Sequence, residues 1–461
     1  MESGLISDVL RADLEELLEK RDWRGLREAL MALEPSDVAE ILMDLPPEHA
    51  GPIFRILPRG RAAELLTHLP VDQQEALIDS LSSEHVQAIV NLMSPDDRTR
   101  LLDELPAEIA RALLERLPPD QIGSAKLLLG YAPDSAGRYM TPQYIGLRPE
   151  MTASEAIDYI RRFSRPVETL NVVYVVDPEG MLIKDLQLST LVRAAPDAKV
   201  RELEDRPLVS VLATDDREDV VGVFEKYDRI ALAVTDTLGH MLGIITVDDV
   251  LDVQALEATE DMQKIGGMEA LEDPYLSVPV WTMFRKRGVW LSILFAGQLL
   301  TATVMERFEA SLAQVVALTL FIPLIISSGG NSGSQATSLI IRALATREVR
   351  LRDWWRVLRR EFATAALLGV WLGLLGLVRI ILWHTAGWGE YDQHLSLAIT
   401  ISFALLGVVL WGSLVGSMLP FILERIGLDP ATSSAPFVAT LVDVTGLVIY
   451  FTTATLIMAQ L

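Results

Sequence analysis

Cysteine is absent from all 461 residues, so neither disulfides nor thiolate metal sites can form. Histidine is scarce, at six, and forms no metal-binding pair. No phosphate-binding glycine loop or nucleophile elbow is present either, so no catalytic constellation emerges and an enzyme is not expected. The first residues, MESGLISDVLRADLEELLEK, lack the apolar stretch and basic flank of a signal peptide and predict a cytoplasmic N-terminus. Basic residues are also in short supply, at 40 against 63 acids, for a net charge of −23. The deficit is local: 27 basic and 53 acidic residues precede position 276, against 13 and 10 from there on. So acidic a front portion argues against nucleic acid or anionic lipid as a partner and suits the binding of cations.

Mean hydropathy is +0.30 despite that charge, so the apolar residues must be concentrated elsewhere. From Pro430 to Leu461 there is one charged residue, Asp443. The run is long enough to cross a bilayer. A carboxylate at membrane depth costs roughly 2.5–3.5 kcal/mol on insertion scales, and such residues mark ion or proton paths. Asp443 is therefore the first candidate functional residue. Five membrane segments are expected, near 288–305, 311–341, 362–383, 395–423 and 434–460. Segment two carries Pro323 and the run SSGGNSGSQ (327–335), which predicts a break in the helix close to the path. Gly412 and Gly416 form a small-residue pair suited to helix packing. Arginines at 342–360 and the basic triplet 285–287 place those connections in the cytoplasm and the C-terminus outside. Arg379, the other charge within a span, is expected to snorkel.

The front portion is itself composite. Markers of the type LEPSD, LPPEH, LPVDQ and LPAEI recur every 11 to 13 residues, with apolar residues at helical spacing between them, as in Val38, Ile41, Leu42 and Leu45. Each unit reads as one short helix begun at proline or at a Ser/Asp cap, and the whole as a helical solenoid over 1–133. Between 134 and 250 the pattern becomes two strand and helix units, NVVYVVD and IALAVTD being their buried strands. With GIITVDD at 243–249, the pair resembles a tandem CBS module. An acidic linker follows over 251–275. Asp249, Asp252, Glu257 and Glu260 fall on one side of a helix ended by Gly266 and Gly267, with Lys264 as the sole base in the linker sequence. Cations between packed acids would offset their repulsion.

This order of parts, with GGNSGSQATSLIIRALATREVRLRDWW (329–355) and FVATLVDVTGLVIYF (437–451), is similar to the MgtE family of magnesium channels. The resemblance covers essentially the whole chain. It implies a mostly α membrane protein: the solenoid, the α/β tandem CBS module, the acidic linker helix and a five-helix transmembrane pore domain from 276 to 461. It implies a homodimer in the inner membrane that conducts Mg²⁺ past Asp443 and the backbone at Ala439, with Asn331 and Gly446 also lining the pore. It further implies a cytosolic Mg²⁺ sensor drawn from Glu64, Asp96, Asp97, Glu218, Asp228, Asp248, Asp249, Asp252, Glu257, Glu260 and Asp261, whose bridging ions hold the pore shut. Outer-sphere contact through a carboxylate pair suits Mg²⁺, which dehydrates reluctantly. A coupled Mg²⁺/Co²⁺ carrier and a non-transporting CBS receptor are the alternatives, and neither accounts as well for a single intramembrane carboxylate. Two departures carry expectations. Arg100 stands where relatives can hold an acid, and Ala435 where they hold a polar residue, which predicts a weakened sensor. The first CBS copy has Leu191 in place of a ribose-binding acid, so nucleotide binding is not expected to carry over.

Overall fold

The computed structural model describes residues 13–203, 206–271, 275–276, 278–308, 316–388 and 393–458. The chain divides into two compact units, Met1–Glu257 and Ala258–Leu461.

In the first unit, among the described residues from Trp23 onward, nine short helices build the solenoid: α1 (Trp23–Met31), α2 (Pro35–Asp44), α3 (Ala50–Ile56), α4 (Arg59–Thr67), α5 (Val71–Ser80), α6 (Ser83–Val90), α7 (Pro95–Glu104), α8 (Ala107–Leu114) and α9 (Pro119–Leu129). The proline and serine markers start them, as expected: Pro35 and Pro95 occupy the first turn, and the Ser94 hydroxyl accepts from the Asp97 N–H. One apolar stripe from each helix turns inward, so Val38, Ile41, Leu42 and Leu45 share a core with Leu26, Phe54, Leu65 and Ile89.

Two three-stranded sheets follow α10 (Ala136–Tyr139). The first contains β1 (Gly146–Leu147), β2 (Val172–Val176) and β3 (Leu182–Gln187), with α11 (Ala153–Arg162) and α12 (Leu188–Arg193). The second contains β4 (Ser210–Leu212), β5 (Ala231–Thr235) and β6 (Met241–Thr246), with α13 (Arg217–Tyr227). In each the outer two strands flank the middle one, first parallel and then antiparallel: Gly146 pairs with Tyr174 as Ser210 pairs with Ala233, and Val173 with Leu186 as Leu232 with Ile245. The two hairpin turns exchange bonds, Leu182 N–H to Gly239 O and Met241 N–H to Gly180 O. Tyr174, Ala233 and Ile244 pack between the copies. The paired strand and helix pattern is thus one module of two equivalent halves. Leu191 is fully buried in the first half.

The acidic helix α14 runs over Val247–Ile265, beginning four residues before the linker expected from the sequence and spanning the boundary between the units. It stops where expected, because Gly267 takes φ +76°, a left-handed conformation that glycine adopts without strain.

The second unit holds α15 (Val280–Arg307), α16 (Ile322–Ala345), α17 (Trp354–Thr385), α18 (His394–Arg425) and α19 (Ala435–Met458). Four of these regions are long and apolar enough to cross a membrane: Val280–Arg307, Leu351–Thr385, His394–Arg425 and Ala435–Ile457. The fifth, α16, has 24 residues and at about 36 Å could span, but its polar run keeps it out of that apolar class. The segment is interrupted at Pro323, and the break expected at SSGGNSGSQ is absent. Pro323 sits in the first turn of α16, after a 3₁₀ stretch at Val316–Phe321, and SSGGNSGSQ is wholly helical. Its small residues serve packing: Ser332 and Ser413 Oγ lie 2.6 Å apart, and the Thr337 hydroxyl donates to the Gly416 carbonyl at 2.9 Å. A Cβ on Gly416 would overlap the Gly333 carbonyl oxygen, which belongs to backbone and cannot swing aside. Gly416→Ala should therefore destabilise the packed helices by about 1–3 kcal/mol, read as a lower thermal midpoint in detergent.

Candidate cation sites

Two helix N-termini bring acids together in the first unit. Asp96 and Asp97 lie in the first turn of α7, Asp248 and Asp249 in the first turn of α14, where the helix dipole favours negative charge. Glu168, on the segment between α11 and β2, joins them; its N–H donates to the Gln143 carbonyl. Sequence reasoning missed Glu168, since a single acid in RPVETLN has no local signature. Asp96 is 8% exposed, and its Oδ1 accepts no hydrogen bond. Asp249 is better served, accepting from the Thr246 hydroxyl at 2.9 Å.

The electrostatic consequence is strong. Burial first, then the neighbouring Asp97, raises Asp96 to about 6. Burial, then the charges of Asp96, Asp248 and Asp97, raises Glu168 to about 7. The same causes, with Asp96 the leading charge, push Asp249 well above the ordinary carboxylate range. Such a cluster is stabilised by cations or by protons. A carboxyl whose pKa is higher in the docked arrangement holds its proton there and releases it on separation, so docking gains as pH falls through 7 to 6 and loses as it rises. Without divalent cations, the solenoid should accordingly resist protease better at pH 6 than at pH 8. Saturating Mg²⁺ should flatten that dependence; equal protection at both pH values without divalents would contradict it.

Arg100 reverses its sequence expectation. Its Nη2 donates to Asp97 Oδ1 at 3.0 Å and its Nη1 to Asp252 Oδ2 at 3.1 Å, tying α7 to α14. Burial of the guanidinium opposes its charge, yet Asp97 and Asp252 outweigh that and raise its pKa. Far from weakening the junction, Arg100 supplies it with a resident cation. The acidic face of α14 is also less bare than Lys264 alone implied. Glu257 receives a hydrogen bond from Arg217, and Glu260 pairs with Lys264 at 2.6 Å. Asp261 is half-buried on the same helix. Of the remaining acids, Glu64 pairs with Arg61 on α4. Glu218 and Asp228 are exposed at opposite ends of α13, too far apart to share one ion within a chain. Among the described residues no three His, Cys, Asp or Glu side chains are arranged to hold a metal ion.

In the second unit Asp443 lies two turns into α19, half-buried, with Ala439 one turn before it. A Cβ on Gly330 of α16 would stand 3.5 Å from Asp443 Oδ1 and 3.4 Å from Ala439 Cβ. Glycine there lets the two helices meet and leaves the carboxylate room. Asn331 is exposed beside them, donating to the Ser327 hydroxyl at 3.2 Å. Gly446, expected to line the path, is buried, and a Cβ there would meet Val408 at 3.1 Å; it serves packing against α18. Ala435 accepts from the Ser334 hydroxyl through its carbonyl, so its side chain is not what holds the start of α19. Arg379 is exposed, its guanidinium over the Trp383 ring. At the other end of the unit Lys264 donates to both Glu260 and Asp429, each at 2.6 Å, and so fastens the end of α14 to the loop before α19. These hydrogen bonds raise its pKa against the effect of burial.

A family model described as "Divalent cation transporter" matches residues 322–453, which contain Gly330, Ala439 and Asp443. Models for the "MgtE intracellular N domain" and for a CBS domain match 33–134 and 200–256. The magnesium transporter MgtE of Thermus thermophilus is 40% identical over 331 residues, 72% of each chain. The chain belongs to the MgtE family. The MgtE of Bacillus subtilis is 31% identical, over 72% of this chain and 71% of its own. Among solved structures, the cytosolic domain of the Mg²⁺ channel MgtE in complex with ATP is 34% identical, with a TM-score of 0.51, covering 53% of this chain and 99% of that one. The soluble part of a magnesium transporter matches at 26% identity with the same score, over 55% and 99%. The shared MgtE architecture accounts for a solenoid, a CBS pair and apolar helices in one chain.

Proposed function

We propose that this chain is a Mg²⁺-selective channel of the inner membrane, a homodimer closed by cytosolic Mg²⁺. The observation that carries the reading is Asp443: the sole charge in a 32-residue run, set beside Gly330 and Ala439 with space around its carboxylate. A pair of such carboxylates across a two-fold axis would attract a hydrated divalent cation without stripping its waters. No residue of α15 is buried within one chain, which suits a helix facing lipid and a second copy. The basic residues Arg285, Lys286 and Arg287 support a cytoplasmic start of α15, and with it an external C-terminus.

Closure would use the carboxylate cluster of the first unit. Mg²⁺ between Asp96, Asp97, Glu168, Asp248 and Asp249 would offset their repulsion and favour the docked arrangement, and a ligand can shift an equilibrium only by binding one state more tightly. In the second unit, Lys264 and Asp429 link the end of α14 to the segment that leads into the pore helix. Nucleotide regulation is not part of this reading, since buried Leu191 cannot serve as a ribose-binding acid. The coupled carrier is disfavoured by Arg379, whose stacking on Trp383 accounts for that second charge.

Single-channel recording in asymmetric Mg²⁺ tests the proposal. Unitary currents reversing at the Mg²⁺ equilibrium potential, and silenced by Mg²⁺ on the cytosolic face, are expected. Flux without unitary currents, or dependent on a second ion gradient, would replace the channel with a carrier.

A further inference from the structure

The run TDDRED (214–219) sets one base, Arg217, among four acids. Arg217 is also the first residue of α13, where the helix dipole disfavours a positive charge. The backbone holds it there all the same: its N–H donates to the Asp134 carbonyl at 2.8 Å, and Asp216 caps the helix by accepting from the Glu218 N–H. From that position the side chain turns away from solvent, 16% exposed, toward two acids and a phenol. Its Nη1 donates to the Tyr139 hydroxyl at 2.8 Å and stands 3.1 Å from Asp134 Oδ1, while Nε donates to Glu257 of α14. The same stretch of α14 packs on the second CBS half. Val250 shares a core with Val220 and Phe224, and the Gln254 amide donates to Glu225 of α13 at 3.0 Å.

Glu257 is one of the acids that the family resemblance assigns to the Mg²⁺ sensor, and the residues around it do not fit that ion. Mg²⁺ requires oxygen ligands in near-octahedral order. Here the carboxylate is engaged by a guanidinium, which offers five N–H donors and no lone pair, and a divalent ion beside it would meet a fixed positive charge. Resting on the reading that cytosolic Mg²⁺ closes the channel, we infer that Arg217 is the built-in counter-ion of the junction between α14 and the second CBS half, and that Glu257 is not a Mg²⁺ ligand. A guanidinium stays charged at any physiological pH and, unlike a bound ion, cannot diffuse away. The junction therefore holds whatever the Mg²⁺ concentration. The ion is left to act two turns earlier on α14, at the cluster that joins Asp248 and Asp249 to Asp96 of the solenoid.

The test uses the full chain in detergent and has two arms. In the first, Mn²⁺, an oxygen-seeking divalent ion visible by electron paramagnetic resonance, is titrated to count bound ions. Glu257→Gln keeps an acceptor for Arg217 and should leave the number of ions unchanged and half-saturation within about twofold of the parent. In the second, hydrogen exchange is followed at the amides around Glu257. The parent should exchange at the same rate, within about twofold, with Mg²⁺ chelated or saturating, and Arg217→Gln should exchange roughly tenfold faster without Mg²⁺, the ratio produced by the loss of one hydrogen bond to a charged group. An ion lost or a half-saturation shifted beyond twofold in Glu257→Gln, parent exchange that slows by more than twofold on adding Mg²⁺, or an Arg217→Gln rate within twofold of the parent overturns the assignment. If Arg217→Gln fails to fold, Glu257→Gln and the parent's own exchange decide. Asp249→Asn is the control for the underlying reading: unaltered Mn²⁺ binding there removes the cluster from the sensor, whereas binding lost in both Asp249→Asn and Glu257→Gln keeps the sensor and removes only the role of Arg217.

Discussion

Asp443→Asn should leave the protein folded and inserted while cutting Mg²⁺ flux at least about a hundredfold, equivalent to roughly 2.7 kcal/mol of barrier. The lower bound follows from magnitudes: one carboxylate attracts one positive charge at 4 Å by roughly 4 kcal/mol at an effective dielectric near 20, and a divalent ion doubles the interaction. Hydration shells and a partner carboxylate moderate that figure without erasing it. Folding should survive because the change removes an intramembrane charge and its insertion cost. Liposome flux with an internal Mg²⁺ indicator measures the loss. Unchanged, still selective flux would show that the lone carboxylate is no part of the path.

The second large effect is a pair of opposite shifts in cytosolic regulation. Asp249→Asn removes one of the clustered charges that Mg²⁺ would otherwise offset, so the docked arrangement should persist with little Mg²⁺ and currents should lose most of their Mg²⁺ dependence. Arg100→Ala removes the cation already in place between Asp97 and Asp252. The solenoid should then need more Mg²⁺ to dock. The pairs are partly solvent-exposed, so about 1 kcal/mol, or roughly fivefold in the Mg²⁺ for half-protection from protease, is the expected size. Protection and currents should move together in both variants. Shifts of the same sign, or currents that move while protection does not, would refute closure by domain docking. The Arg100 expectation departs from what the sequence implied, and the reason is geometric. A guanidinium among acids reads as a missing ligand in one dimension and as a bridge in three.

The parts of this protein that depend on near neighbours in the chain were readable without coordinates. Proline and serine markers with helical apolar spacing defined the solenoid because a helix start and its buried face are set within one turn or two. The two CBS halves were visible as repeated buried strands, and the end of α14 as a glycine pair. Asp443 stood out because a charge within a long uncharged run is conspicuous whatever surrounds it. In segment two the run SSGGNSGSQ was misread for the same local reason: it looks like a helix breaker until α18 is packed against it, after which its glycines and hydroxyls are what allow the two helices to approach. Tertiary structure alone decided the partners of the acids. Arg100 meets Asp252 across 152 residues and Arg217 meets Glu257 across 40, while Glu168 joins a cluster from a segment with no motif. Local periodicity determines which face of an element is buried; which charge is answered by which depends on chain closure, and Coulomb interactions follow distance in space, not separation in sequence.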